Sequence, residues 1–400
     1  METTKKLLTI FPSTHRGGTE EYALTIASAA AQCGWDVHAA FPKTDRTTTL
    51  IRDFIDNRVS YHSLRSNNSI KAGLLSLLKI YLKTFLGFIG TVLLLNKLKP
   101  DVIQINLPYP TLCQGSILAC NLFRIPTVIV FHCIPDKICL SDQEQKFYAW
   151  MRSKNQIWVA CSEFNRRLVY ESFQADPSEV IRIYNGIKVK PVLTTGKPEE
   201  LEELRCQVRE ELGVPATSRL ALTVGRLDPA KGYNDLIPII SPITKEFSDV
   251  KFVWVGSGEK LEKDNLKHQL QAYSIEDKFL FLGYRSDIPR LLKAADLFVF
   301  PTHFEGPSLA LLEAMAYGLP VVISDAATLP EIVTNNVHGL MFKTKDSQDL
   351  LENLRRAFGY PEKMQEMAQA ATLRSQDFSE DNMVHKMLAI FDESIQFSNQ

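Results

Sequence analysis

The chain has 400 residues, of which 45% are hydrophobic and 23% charged, with 45 Lys and Arg against 46 Asp and Glu. This composition excludes long-range disorder, a collagen-like repeat and a disulfide-stapled mini-domain. At roughly 100–200 residues per domain it leaves room for two to three domains, each with a sizeable core.

Lys5 and Lys6 precede only Leu7–Phe11. That apolar run is too short for a signal peptide and reads better as a first buried strand. Further strand-like runs follow at Asp36–Phe41, Val102–Ile105, Thr127–Phe131, Ile157–Ala160 and Val180–Ile183. Most do not alternate and are rich in Val, Ile, Leu or Phe, as in parallel strands buried on both faces. Between the second and third lies Ile70–Leu98, the most apolar stretch of the chain, broken by Lys71, Lys79, Lys83 and Lys97. Its longest uncharged run, Thr84–Asn96, has 13 residues, short of the about 20 that a membrane span needs. Two readings stay open: a core helix, or a surface helix whose apolar face dips into a bilayer while lysines meet anionic headgroups. The seven cysteines form no C-x-x-C pair and no zinc spacing, so reduced, mostly buried thiols are expected.

Residues 188–200 contain Pro191, Gly196 and Pro198, which marks a linker. A charged helix is predicted over Glu199–Leu212, stopped by Gly213 and Pro215. The series then resumes with strands at Arg219–Val224, Lys251–Val255, Phe279–Leu282, Leu297–Phe300 and Pro320–Ile323, and a last helical pattern over Ser379–Ser394. A βαβ series repeated twice is an α/β chain with two Rossmann-like, doubly wound parallel-sheet domains. The expected boundaries are 1–188, 189–378 and a closing helix over 379–400 that crosses back to the first domain. Ligands of open α/β sheets bind beyond the carboxyl ends of the strands, so the two domains are expected to face each other across a cleft lined by those loops.

Four loops carry candidate chemistry. After the first strand, Gly17 and Gly18 stand at a helix start, where backbone N–H groups can approach an anion; they are not a G-x-G-x-x-G, and loops need glycine anyway. Arg226 and Lys231 follow the Arg219–Val224 strand and suit a diphosphate, one as a fork and one as a point charge. Pro301–Ala316 places Glu305 before a helix expected to start near Gly306 and Pro307, with free N–H groups around Ser308 and Leu309 and Glu313 two turns inside. His132 ends the Thr127–Phe131 strand, where a histidine is either a satisfied structural group or a functional one.

Taken in order, Gly17-Gly18-Thr19-Glu20, His132, Ser162-Glu163-Phe164, Tyr184-Asn185-Gly186-Ile187, Gly225-Arg226, Lys231-Gly232, Val255-Gly256-Ser257-Gly258 and Gly283-Tyr284-Arg285 lead to the glutamates Glu305 and Glu313. Pro320-Val321-Val322 and His338-Gly339-Leu340-Met341-Phe342 complete the set. The whole resembles the retaining glycosyltransferases of family 4, the group 1 or glycogen-synthase-like enzymes with the GT-B fold. Pro307-Ser308 replaces the family's more usual aromatic-glycine pair.

The resemblance implies a transferase that moves a sugar from a UDP- or GDP-sugar to a glycan or lipid-linked acceptor with retention, in cell-surface polysaccharide or lipopolysaccharide assembly. It implies Arg226 and Lys231 on the donor diphosphate, with the backbone of Ser308 and Leu309 and of Gly18 assisting. It further implies Glu313 on the ribose, Tyr284 near the base, and Glu305 and His132 at the sugar. The chain has no D-x-D triplet, so neither a metal nor another cofactor is expected, and no nucleic-acid partner. Two other classes fit the same fold: a non-catalytic nucleotide-sugar-binding subunit, and a nucleotide-sugar epimerase.

The near-zero net charge conceals an asymmetry. Residues 1–190 hold 23 Lys and Arg against 15 Asp and Glu, and residues 191–400 hold 22 against 31. The difference is either drift between two ordinary domains or the mark of a partner that only one domain meets. The basic half is expected to face an anionic membrane surface or acceptor. A cytoplasmic protein, peripheral on the cytoplasmic membrane face, is the resulting expectation.

Overall fold

Apolar runs of four to six residues, too long for turns and too short for helices, become parallel strands with helices returning the chain between them. The computed structural model describes residues 4–64, 76–134, 136–152, 155–188, 198–306 and 308–398. Residues 70–75 of the apolar stretch, 189–197 of the expected linker, Pro135 and Pro307 lie outside the described residues.

Two compact units result. The first comprises Met1–Asn185 with Asp381–Gln400, the second Gly186–Glu380. The first unit is built on β1 (Lys6–Ile10), β2 (Asp36–Phe41), β3 (Ser60–Ser63), β4 (Val102–Leu107), β5 (Thr127–Phe131), β6 (Gln156–Ala160) and β7 (Val180–Arg182). They form one parallel sheet in the order β3-β2-β1-β4-β5-β6-β7. The second unit holds β8 (Arg219–Val224), β9 (Val250–Val255), β10 (Phe279–Gly283), β11 (Leu297–Phe300), β12 (Val321–Ser324) and β13 (Leu340–Phe342). Their order, β10-β9-β8-β11-β12-β13, is again all parallel and repeats the first unit's winding. In each sheet the winding reverses between the unit's first and fourth strands, and the crevice there is the expected ligand position.

Strands β3 and β13 had no counterpart among the predicted runs. β3 reads Ser-Tyr-His-Ser at the sheet edge with no fully buried residue, and β13 has three residues. Neither offers a periodic apolar signal.

Each sheet is covered on both faces. In the first unit one core joins Leu7, Phe11, Ile26, Val37 and Phe54 to Met383, Met387, Ile390 and Phe391 of the closing helix Glu380–Ser398. The other face joins Leu8, Ile105, Ile129 and Trp158 to Leu95 and Leu98 of helix Ser76–Leu98. That helix is therefore a core helix on one side, while Leu82, Phe85, Leu86, Ile89 and Leu93 on its other side are exposed. The second unit closes around Tyr233, Ile240, Trp254, Val299 and Leu354.

The two segments linking the units are tied side by side. Ile187 N–H donates to the Phe378 carbonyl and Glu380 N–H to that of Ile187, each at 2.9 Å. A Cβ on Gly186 would lie 2.4 Å from the Ser379 carbonyl oxygen, so only glycine permits this approach.

The expectation of mostly buried thiols needs correction. Only Cys120 and Cys161 are buried, Cys113 and Cys133 are half-buried, and Cys33, Cys139 and Cys206 are exposed. Cys33 caps a helix and Cys206 sits on the highly charged helix Pro198–Glu211, positions that a small side chain fills without any apolar demand.

Candidate functional site

In the second unit the β8 and β11 loops meet at the sheet's switch point. Gly232 has φ +74°, and a Cβ there would stand 1.8 Å from the Pro301 carbonyl oxygen. Glycine alone allows these two loops to close on each other. His303 N–H donates to the Ala230 carbonyl at 2.8 Å, and Thr302 Oγ1 to the same carbonyl at 3.2 Å. On the far side Ser324 Oγ donates to the Thr302 carbonyl at 2.5 Å and Thr328 Oγ1 to that of Gly306 at 2.9 Å. His303 is also paired with Asp235 through Nε2. Residues 302–306 are thus held from both neighbouring strands.

This frame brings Lys231 and Glu305 into a direct ion pair, with each side chain 18% exposed. The pair is half-buried at the mouth of the β8/β11 crevice, where a charge-assisted contact is stronger than on an open surface. Arg226 is different. Its side chain is 71% exposed, and Asp228 stands 3.9 Å away, too far for a hydrogen bond. Asp228 instead caps the short turn before Lys231, accepting from Ala230 N–H at 2.9 Å.

The helix after β11 spans Leu309–Ala316 and starts two to three residues later than the position of Gly306 and Pro307 suggests, because Ser308 is its N-cap and accepts from Leu311 N–H. Leu309 is therefore the first helical residue, and its N–H belongs to the unsatisfied end of the helix. Glu313 lies one turn inside rather than two. Burial pushes its carboxyl up, and burial with the nearby Glu313 pushes up the Tyr317 phenol. Tyr284 follows Gly283, whose φ is +67°, and is 79% exposed. Its neighbour Arg285 is fully engaged: both oxygens of Asp287 at 2.7 Å and Glu211 at 2.8 Å occupy its fork.

The first unit carries Gly18 at the start of helix Gly18–Gln32, just after β1. A Cβ on Gly18 would meet nothing within 4 Å, while the buried Glu20 carboxylate accepts from the backbone of Gly17 and Glu20 at the same helix start. The preceding Arg16 is tied to Glu21 and to Asp53 at 2.5 Å. Ser162 caps helix Glu163–Phe173 by accepting from Asn165 N–H at 3.0 Å.

His132 is buried in a neutral network. Asn106 Nδ2 donates to Thr9 Oγ1 at 3.0 Å, so its Oδ1 is left to accept the His132 Nε2 proton at 3.1 Å. The His132 Nδ1 lone pair then faces the Cys161 Sγ at 3.6 Å. Asn165 Nδ2 donates to the His132 carbonyl at 2.9 Å, and Tyr22 packs edge-on at 4.8 Å between centroids. Burial pushes the His132 imidazole down to about 3, so the ring is neutral at pH 7.

Arg226, Lys231, Glu305, Ser308, Leu309 and Glu313 thus share one end of one unit, Gly18 and His132 lie in the other, and Tyr284 follows β10. The pairs Asn106–His132 and His303–Asp235 had not been anticipated. A signal for the first existed: Thr9, Gln104 and Asn106 interrupt runs that are otherwise apolar on both faces, and a buried polar side chain needs a partner.

Two family profiles cover this frame. The one described as glycosyltransferase family 4 matches residues 16–190, and that of glycosyl transferases group 1 matches residues 205–374. The chain belongs to the group 1 and family 4 glycosyltransferases. The transferase is 27% identical to the UDP-Gal:alpha-D-GlcNAc-diphosphoundecaprenol alpha-1,3-galactosyltransferase of Escherichia coli, over 69% of this chain and 70% of that one. Among solved structures it is similar to a glycosyltransferase from Rickettsia africae, with a TM-score of 0.83 at 17% identity over 98% and 99% of the two chains. It is also similar to Anabaena Alr3699/HepE in complex with UDP and glucose, with a TM-score of 0.77 at 21% identity over 97% and 100%. The fold of the transferase is GT-B, with parallel sheets of seven and six strands.

Proposed function

We propose that the protein is a retaining, metal-independent glycosyltransferase that moves a sugar from a UDP- or GDP-sugar to a glycan or lipid-linked acceptor in cell-surface polysaccharide or lipopolysaccharide assembly. The observation that carries this reading is the Lys231–Glu305 pair at the β8/β11 switch point, one helix N-terminus away from Ser308 and Leu309. A cation, a carboxylate and free N–H groups at one crevice match a diphosphate joined to a sugar. The E. coli relative's name specifies a UDP-Gal donor and an alpha-D-GlcNAc-diphosphoundecaprenol acceptor, and the Anabaena structure holds UDP and glucose.

In this reading the donor diphosphate takes Lys231 from Glu305 and draws in the exposed Arg226. Both neutralise the charge that develops as the sugar–oxygen bond breaks. The Ser308 and Leu309 N–H groups supply the helix-terminus share, which makes a metal unnecessary. Glu305, released from Lys231, turns to the sugar, and Glu313 takes the ribose hydroxyls. Tyr284 is assigned to the base. Gly18 is assigned to the diphosphate, and His132, held neutral by its burial beside Asn106, to the sugar. The acceptor proton leaves toward the departing diphosphate, with attack and departure on one face of an oxocarbenium-like sugar. The membrane-borne acceptor is matched by the basic first half of the chain, on the cytoplasmic face of the membrane.

A donor screen by thermal shift tests the reading. A UDP- or GDP-sugar well above its dissociation constant raises stability by about 3–4 kcal/mol, and Lys231→Ala abolishes the shift. A shift that survives Lys231→Ala, or none with any nucleotide sugar, overturns it.

A further inference from the structure

The helix Ser76–Leu98 leaves one face without a protein partner among the described residues. Leu82, Phe85, Leu86, Ile89 and Leu93 fall at i, i+3, i+4, i+7 and i+11, and each is 39% to 65% exposed. That spacing makes a single ridge along about 16 Å of the helix. The opposite face is fixed. Thr91, Leu95 and Leu98 are buried, and Thr91 Oγ1 donates to Ser116 Oγ at 2.8 Å. A Cβ on Gly115 would lie 2.1 Å from the Thr84 carbonyl oxygen, so helix Gln114–Phe123 is locked against this one at backbone distance. The ridge cannot roll inward to hide.

Its charge surroundings are one-sided. From Asn57 to Pro100 the sequence contains seven Lys and Arg and no Asp or Glu. Lys97 and Lys99 are exposed at the carboxyl end of the helix. Leu122, Phe123 and Arg124, at the carboxyl end of the adjacent helix, are exposed as well. Asp101, the first acidic residue after the stretch, accepts from the Lys6 N–H at 2.7 Å. No helix among the described residues is long and apolar enough to cross a membrane.

We infer that this ridge is the membrane-docking surface of the protein: the helix lies in the plane of an anionic bilayer, its five apolar side chains below the headgroups and Lys97 and Lys99 among the phosphates. An apolar stripe flanked by cations and free of carboxylates is the arrangement that interfacial helices use. A protein partner with an apolar groove would match the stripe but give no reason for 44 residues without an acidic one. The inference gives a place on the molecule to the proposed membrane-borne acceptor, and rests on that reading for its purpose though not for its binding.

The test is sedimentation of the full chain with vesicles of phosphatidylglycerol and phosphatidylcholine, against pure phosphatidylcholine. The wild type binds the anionic vesicles. The double variant F85S/L93S loses at least about tenfold in partitioning, and K97A/K99A loses about tenfold or more together with part of the salt dependence. Leu261→Ser, at an exposed site of the second unit, changes nothing. Equal partitioning of F85S/L93S and wild type overturns the inference. So does a wild type that ignores the vesicles and forms a dimer which F85S/L93S dissociates, because a second copy then covers the ridge. The nucleotide-sugar thermal shift, measured on the same variants, reports the donor site separately. A retained shift with lost vesicle binding is the expected pattern, and a missing shift in the wild type counts against the transferase reading alone.

Discussion

The two units wind their strands in the same order but furnish the equivalent crevice of each sheet with opposite chemistry. In the second unit the loops after its first and fourth strands carry Lys231 and Glu305 as an ion pair, with Arg226 exposed beside them. In the first unit the fourth strand carries Asn106, which holds a buried, neutral His132 in a network with no formal charge. The overall charges run the other way, since the first half of the chain is basic and the second acidic. In the proposed reading local placement, not the sum, decides where an anionic ligand is held: two cations at the carboxyl end of a parallel sheet outweigh a diffuse surface excess that water and salt screen. On that reading the charged crevice serves a reaction in which charge develops, and the neutral one gives shape.

The largest effect should come from breaking the charged crevice. Lys231→Ala and Glu305→Ala are each expected to lower kcat about 10²–10³-fold, the scale of losing one preorganised electrostatic group. Circular dichroism should be unchanged, because neither side chain is part of the core. Full transfer by either variant would mean that the ion pair is structural.

Gly232→Ala attacks the frame instead. The added methyl meets the Pro301 carbonyl in a left-handed backbone, so a loss of about 2–3 kcal/mol is expected in urea unfolding of the second unit. The same change at Gly18, where a Cβ meets nothing, should leave stability within about 0.5 kcal/mol of wild type.

The neutral crevice has its own signature in pH. His132 is held below its ordinary value of 6.5, at about 3, by burial. The unfolded chain therefore binds a proton that the folded one refuses, and stability falls as pH drops from 6.5 toward 3. The slope from this group is at most about 1.4 kcal/mol per pH unit. Comparing wild type with His132→Gln by urea melts at several pH values isolates it. Equal slopes would show that the ring titrates freely. Asn106→Leu leaves the Nε2 proton buried and unpaired, costing about 1–3 kcal/mol at pH 7.

Much of the fold was legible in the chain. Strands such as Asp36–Phe41, Thr127–Phe131, Arg219–Val224 and Leu297–Phe300 announce themselves because parallel strands buried on both faces need unbroken apolar runs. The edge strand Ser60–Ser63 does not, because half its environment is water. The charged crevice was legible through its spacing, since Lys231 and Glu305 each follow a strand that the pattern identifies. The start of the Leu309–Ala316 helix was misplaced because proline and glycine suggest a boundary, while the hydrogen bond that sets it comes from Ser308. That Asn106 needs a partner was legible, but that the partner is His132 was not. Their contact joins neighbouring strands 26 residues apart in sequence, and only the sheet register makes them neighbours.

The finest test separates recognition from architecture within the charged crevice. Arg226 contributes almost nothing to the fold as it stands: its side chain is mostly exposed, and its nearest carboxylate is beyond hydrogen-bonding range. Lys231, by contrast, has Glu305 as a partner before any ligand arrives. In the proposed reading a diphosphate must therefore compete with Glu305 for Lys231 but finds Arg226 without a hydrogen-bonded carboxylate. Arg226→Ala is expected to leave the urea midpoint unchanged within about 0.5 kcal/mol while weakening nucleotide-sugar binding about tenfold or more, the scale of a charge-assisted hydrogen bond. Calorimetric titration with UDP and with uridine distinguishes the contributions. If Arg226 meets the diphosphate, the variant loses affinity for UDP and keeps whatever affinity it had for uridine. An equal loss for both would move Arg226 from the phosphates to the base.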